Sequence, residues 1–295
     1  IQFADVNGDG KPDPRARSSA GVVYEISDGV SFYKEITGPA WSDASGWAKP
    51  EYMETIRWAD VDGDGKMDVC GRAAVGVVCE LSNGSGFPTE VTGPEWSDAK
   101  GWAASQYFTT IQTADVNGDG KSDLCARAVA GIVCALSDGK SFGSEITGPD
   151  WTSAGGWDDP QYDSTIGFAD LDGDGKDDVC ARGWAGLQCA LSTGTGFAAA
   201  TPGAAWSNPS GWGVEPYYAS IRYAGVRAKT ATPPKTGGDG GTTTPPNGGP
   251  NGDGPTTGGC SVGAPGTTSP VGGGFAALAL GLAAITARRL RSKAR

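Results

Sequence analysis

Ala-Asp at positions 4–5, 59–60, 114–115 and 169–170 recurs at a fixed step of 55 residues, and this period constrains the fold more than any other feature of the chain. A repeat of that length is one supersecondary unit that buries its apolar face against its neighbours. The tryptophan pairs Trp41/Trp47, Trp96/Trp102, Trp151/Trp157 and Trp206/Trp212 keep the same step, as do Arg17, Arg72, Arg127 and Arg182. Glycines 21, 76, 131 and 186 follow it too. A fifth copy starts at Ser220-Ile221-Arg222-Tyr223-Ala224, but Gly225 takes the place of its aspartate.

Each copy divides into four short runs rich in β-branched and aromatic residues, separated by turn residues. In the second copy these are Thr55–Ala59, Met67–Ala73, Gly76–Ser82 and Pro88–Thr92. No 3.6-residue apolar period lasts long enough to predict a helix in the repeats. Four strands in a repeat of roughly 40–60 residues predict an all-β fold of β-propeller blades, each with four antiparallel strands. A β-solenoid is the rival, although its coils are usually shorter. The copies span about 1–55, 56–110, 111–165 and 166–220, with an extra strand completing a repeat region over 1–228. Ile1-Gln2-Phe3 starts partway through a unit, so the four visible blades read as part of a larger ring.

Each copy carries one acidic loop of nine residues: DVNGDGKPD at 5–13, DVDGDGKMD at 60–68, DVNGDGKSD at 115–123 and DLDGDGKDD at 170–178. Glycines at loop positions 4 and 6 let the backbone curl, because they tolerate positive φ. Side-chain oxygens at positions 1, 3, 5 and 9 can then converge on one point: Asp5, Asn7, Asp9 and Asp13; Asp60, Asp62, Asp64 and Asp68; Asp115, Asn117, Asp119 and Asp123; Asp170, Asp172, Asp174 and Asp178. Lys11, Lys66, Lys121 and Lys176 at position 7 would offer a backbone carbonyl while their ammonium groups point to solvent. Hard, charged oxygens suit Ca²⁺, which takes about 6–8 of them, so about four ions are expected. An EF-hand is excluded, since position 12 holds Ala16, Gly71, Ala126 and Ala181 instead of a bidentate Glu. A solvated Asp/Gly turn is the bland alternative, but three or four carboxylates packed into nine residues repel without a cation.

These loops, on strand hairpins in blade-length repeats, resemble the FG-GAP/VCBS repeat family over roughly residues 1–225. The resemblance implies a propeller of often about seven blades with Ca²⁺ in the blade loops, as in the integrin α head and some fungal lectins. The match is partial: Phe-Gly occurs only at Phe142-Gly143, and Gly-Ala-Pro shrinks to Gly38-Pro39, Gly93-Pro94 and Gly148-Pro149.

Six of seven cysteines form the pairs Cys70/Cys79, Cys125/Cys134 and Cys180/Cys189, while the first copy has Arg15 and Tyr24 at both positions. Partners that vanish together act together. A hairpin turning at Ala74-Val75 sets Cys70 and Cys79 opposite each other, within disulfide reach. Intra-blade disulfides and buried free thiols are the two readings, and disulfides would place the repeats outside the cytoplasm. The tryptophan pairs likewise have two readings: indoles that stack on sugars, or wedges between neighbouring blades. The repeated arginine reads as a structural donor to strand or loop carbonyls.

Histidine is absent, which removes Ser-His-Asp and Cys-His triads, His-ligated zinc and the commonest general base. The repeated aspartates already have a metal role and no unrepeated acidic pair stands out, so no catalytic residue is assigned. Net charge is −11; without the five cations Arg288, Arg289, Arg291, Lys293 and Arg295, residues 1–287 sum to −16. Such a body is a poor partner for nucleic acid.

Residues 229–259 turn to Thr, Pro, Gly and Asp without a hydrophobic anchor, as expected of an extended stalk. The segment 260–295 holds Cys260, an apolar run Val271–Ala287 expected to form a short helix, and a basic end. That order resembles the myxobacterial C-terminal sorting signal (MYXO-CTERM), which implies protease processing near Cys260 and delivery to the cell surface. An ordinary membrane anchor is the alternative. Together these readings predict a secreted or surface-displayed, calcium-binding, non-catalytic adhesin or lectin-like protein with a glycan or protein partner. The alternative is the non-catalytic propeller region of a larger secreted hydrolase.

Overall fold

Each 55-residue unit becomes one antiparallel four-stranded sheet in the structure, a computed structural model that describes residues 1–224. The first sheet holds β1 (Gln2–Ala4), β2 (Asp13–Ser18), β3 (Gly21–Ser27) and β4 (Phe32–Thr37). The second holds β5 (Arg57–Ala59), β6 (Asp68–Ala73), β7 (Gly76–Leu81) and β8 (Thr89–Thr92). The third holds β9 (Gln112–Ala114), β10 (Asp123–Ala128), β11 (Gly131–Ser137) and β12 (Phe142–Thr147). The fourth holds β13 (Gly167–Ala169), β14 (Asp178–Gly183), β15 (Gly186–Ala190) and β16 (Thr201–Pro202). Within each sheet the strands pair in sequence order, the blade arrangement that the repeat predicts.

Strands β6, β10 and β14 are buried on both faces, which happens when sheets pack face to face. Between the sheets lies the tryptophan pair. Trp41 and Trp47 stack with centroids 4.3 Å apart and seat on Gly71 of β6, where a Cβ would come within 2.8 Å of the Trp47 ring. The pairs Trp96/Trp102, Trp151/Trp157 and Trp206/Trp212 stack at 4.6, 4.7 and 4.7 Å. Tyr52, Tyr107, Tyr162 and Tyr217 lean against their edges.

Two expectations need correction. The connections after each tryptophan pair are helical: α1 (Pro50–Met53), α2 (Ser105–Phe108), α3 (Pro160–Asp163) and α4 (Glu215–Tyr218) are single turns. Four residues carry too little period to read in sequence. Tertiary packing stabilises these turns, helped in three of them by Pro at the first or second position. Residues 221–224 are not a strand. A fifth inner strand needs a pairing partner, and the residues at the position of β2 in this copy, 233–238, lie outside the described residues. Tyr223 still reaches back, its hydroxyl donating to the Thr165 carbonyl at 2.8 Å. The 229–259 stalk, Cys260 and the Val271–Ala287 run lie outside the described residues. Among the described residues no helix is long and apolar enough to cross a membrane.

Candidate metal centre

The first aspartate of each acidic loop organises the bend. Asp60 accepts hydrogen bonds from the N–H groups of Gly63, Asp64 and Gly65 at 2.7, 3.1 and 2.8 Å. Gly63 adopts φ +77°, and a Cβ there would sit 3.2 Å from Lys121 of the next loop, so glycine serves both the bend and the close approach. Asp62 accepts from the Asp64 N–H at 3.2 Å. The last aspartate is buried and clamps two segments: Asp68 accepts from Val61 N–H at 2.8 Å and from Ser82 N–H, just beyond β7, at 2.7 Å. Asp13, Asp123 and Asp178 make the equivalent pair of bonds. Burial pushes Asp68 and Asp123 up to about 7, with the backbone N–H bonds opposing the shift.

Carboxylate oxygens of Asp60, Asp62 and Asp68 lie within 4.8 Å of one another, and so do those of Asp170, Asp172 and Asp174. That separation is about twice a calcium–oxygen bond. The donors are all hard oxygens, without nitrogen or sulfur, so both groups could hold a hard divalent cation. In the loops 5–13 and 115–123 the third position is Asn7 or Asn117, which offers an amide oxygen instead of a carboxylate.

The four-carboxylate set expected from sequence is not gathered whole. Asp64 stands outside the first trio and Asp178 outside the second. The lysine also behaves differently from expectation. Lys11 and Lys121 fold back onto Asp9 and Asp119 at 3.0 and 3.1 Å, and Lys66 and Lys176 pair with Asp64 and Asp174. In a crowd of carboxylates an ammonium gains more from the nearest anion than from open solvent. The Lys11 hydrogen bond holds Asp9 below the usual carboxylate range, and Lys176 does the same for Asp174.

The loops also join sheet to sheet, which the sequence did not reveal. Met67 N–H donates to the Asp5 carbonyl at 2.9 Å, Ser122 N–H to Asp60 at 2.7 Å and Asp177 N–H to Asp115 at 2.7 Å. Ser82 and Ser137 hydroxyls donate to the carbonyls of Val6 and Val61 at 2.7 and 2.8 Å, and Ser192 bonds Val116 likewise. Serines 82, 137 and 192 keep the 55-residue step, so the period held the signal.

The cysteine pairs Cys70/Cys79, Cys125/Cys134 and Cys180/Cys189 are disulfides at hairpin positions directly opposite each other, with Cα–Cα separations of 4.0, 4.1 and 4.1 Å. The sequence treats the three pairs as equivalent, and Cys189 departs from that. Cys70, Cys79, Cys125, Cys134 and Cys180 are buried, whereas Cys189 is only partly buried. Its strand β15 is covered at the sheet edge by the two residues of β16, of which Thr201 pairs with Cys189, and no fifth sheet packs beyond it among the described residues.

Arg72 is fully buried and donates to the carbonyls of Trp96 and Glu51 while pairing with Asp98. Trp41, Trp47, Trp96, Trp102, Trp151 and Trp157 are at most 9% exposed, and Trp206 and Trp212 are half-buried. What the second pair offers outward is an edge: Trp96 and Trp102 line a cleft of about 450 Å³ with Lys100, Ile132 and Glu145, between the second and third sheets. Trp96 Nε1 donates to the Glu145 carboxylate at 2.9 Å. Trp184, 62% exposed just past β14, lacks a counterpart at the 55-residue step and escaped notice for that reason.

Sheets, loops and clefts together define a tandem-repeat, disulfide-bonded all-β protein. No family model matches the sequence, and no curated protein matches it. Solved structures do. The chain is similar to an Agrocybe aegerita lectin described as specifically recognising non-reducing terminal N-acetylglucosamine, with 24% identity and a TM-score of 0.61 over 72% of this chain. It spans about half (54%) of that lectin's length. A Photorhabdus luminescens Tc holotoxin pore structure matches at 22% identity and TM-score 0.47 over 69% of this chain and 9% of its own. A biofilm matrix protein of V. cholerae matches at 16% identity and TM-score 0.23 over 67% of this chain and 37% of its own. The lectin likeness shows a shared fold; the two looser ones carry no argument.

Proposed function

We propose that this is a calcium-loaded, extracellular, non-catalytic binding protein of the FG-GAP/VCBS type, holding about four Ca²⁺ ions and reading a glycan or protein ligand from the clefts between its blades. The observation that carries the reading is the convergence of Asp60, Asp62 and Asp68 in a loop that also hydrogen-bonds the neighbouring sheets. An ion there would be held by the aspartates at loop positions 1, 3, 5 and 9, with the amides of Asn7 and Asn117 in two loops and the position-7 carbonyls of Lys11, Lys66, Lys121 and Lys176. It would neutralise the loop and stiffen the junction beside it. The role of the cleft in ligand binding is supported by its apolar floor and its Glu145 and Lys100 rim, the mixture common in small-ligand sites.

Disulfides in three of the four sheets support a location outside the cytoplasm. The segment from Cys260, with its resemblance to the myxobacterial sorting signal, would then deliver the blades to the cell surface, as part of a larger ring. Calcium titration by calorimetry followed by a glycan array with and without EGTA tests the proposal. Stoichiometry near four and calcium-dependent glycan or protein capture support it; a metal-free protein with the same stability in EGTA sinks the calcium reading.

A further inference from the structure

We infer that the junction between the first and second sheets holds a binding site for a small oxyanion, a carboxylate or a phosphate, centred on Arg15. The first copy has Arg15 and Tyr24 where the other three have a disulfide, and the two residues face each other across β2 and β3. The Arg15 guanidinium lies 4.3 Å over the Trp58 ring. Its Nε and Nη1 are buried and have no hydrogen-bond partner among the described residues, and the same holds for the hydroxyl of Tyr24, which is 0% exposed.

Buried donors without partners are costly, and a charged one most of all. The cation–π contact with Trp58 offsets part of that cost and satisfies none of the N–H groups. Burial lowers Arg15 to about 9, so it remains a cation at neutral pH. Arg15 lines a cleft of about 340 Å³ that it shares with Arg17 and Arg57; Glu54 is the carboxylate in its lining, and Arg17 also pairs with Asp43, which leaves the three guanidinium groups one positive charge in excess. The cleft is therefore a cationic spot on a body with net charge −16. Arg17 and Arg57 already commit Nε to the carbonyls of Trp41 and Ile111, which fixes them as walls and leaves Arg15 as the free fork. A planar guanidinium with free N–H groups pairs best with a carboxylate or phosphate.

The structure also supplies its own control. Arg15→Cys with Tyr24→Cys would install the hairpin disulfide of the other three copies, removing the guanidinium while keeping a cross-link the fold already uses. The test follows melting temperature and tryptophan emission of the 295-residue chain against D-glucuronate and inorganic phosphate, with sodium chloride at matched ionic strength. A saturable rise of about 2–4 °C with either oxyanion, above the chloride control, is expected. It should disappear in the double-cysteine protein and in Arg15→Gln, which covers the case of a misfolded double variant. Response to glucuronate alone assigns a carboxylate ligand, and response to phosphate alone a phosphate. No rise beyond chloride, or an equal rise in Arg15→Gln, overturns the site.

Discussion

Asp163 stands where the first two copies have Met53 and Phe108, and it is only 5% exposed. Its copy is also the one in which Ser153 replaces the carboxylates Asp43 and Asp98 that pair with Arg17 and Arg72. Burial pushes Asp163 up to about 6, with Arg127 pulling it back. A folded value above the unfolded one (about 3.9) means its contribution is fully present below about pH 4 and is lost as pH rises through 6. Asp163→Asn should therefore be more stable than the parent by about 1–2 kcal/mol at pH 8, with the gap closing by pH 4 in urea unfolding. Gly71 makes the opposite point. Its lack of a Cβ admits Trp41 and Trp47, and Gly71→Val should cost about 1–3 kcal/mol through overpacking, measured the same way.

The two central strands of each sheet form a hairpin whose register sets the cysteines opposite each other, which the spacing had predicted. Replacing Cys125 and Cys134 together by Ala should lower stability by about 2–3 kcal/mol under non-reducing conditions, and dithiothreitol, which opens the other two bonds as well, should lower the parent further than that. Because Cys189 is the partly exposed partner, the Cys180/Cys189 bond should be the first of the three to open, which mass spectrometry of timed alkylation would show. The strands were legible because short runs rich in β-branched and aromatic residues, separated by turn residues, recur at the same place in every copy. The single-turn helices were not: Tyr52, Tyr107, Tyr162 and Tyr217 keep the period, but one turn of helix has no repeat of its own to read.

Loops that hydrogen-bond the next sheet would tie the proposed metal binding to the whole array. Chelation should therefore lower the melting temperature in one concerted step, and Asp60→Ala should weaken calcium binding in adjoining loops as well as its own. Calorimetry of single-loop variants reads this directly; independent, unchanged affinities at the other loops would show the junctions to be uncoupled. Ser82→Ala, which deletes the bond to the Val6 carbonyl, should reduce the coupling between the first two loops without touching a ligand oxygen.

The sequence alone determined the period, the four-strand unit, the acidic loops and the cysteine pairing, because each depends on spacing along a chain with fixed geometry. Tertiary structure decided everything that depends on which copy touches which. It turned the tryptophans inward as wedges, folded the lysines back onto aspartates, left Cys189 less covered than its counterparts, and left two guanidinium nitrogens of Arg15 and the Tyr24 hydroxyl buried without hydrogen-bond partners. Those outcomes come from desolvation and close packing between residues up to 76 positions apart, as with Ser82 and Val6, and no local pattern encodes them.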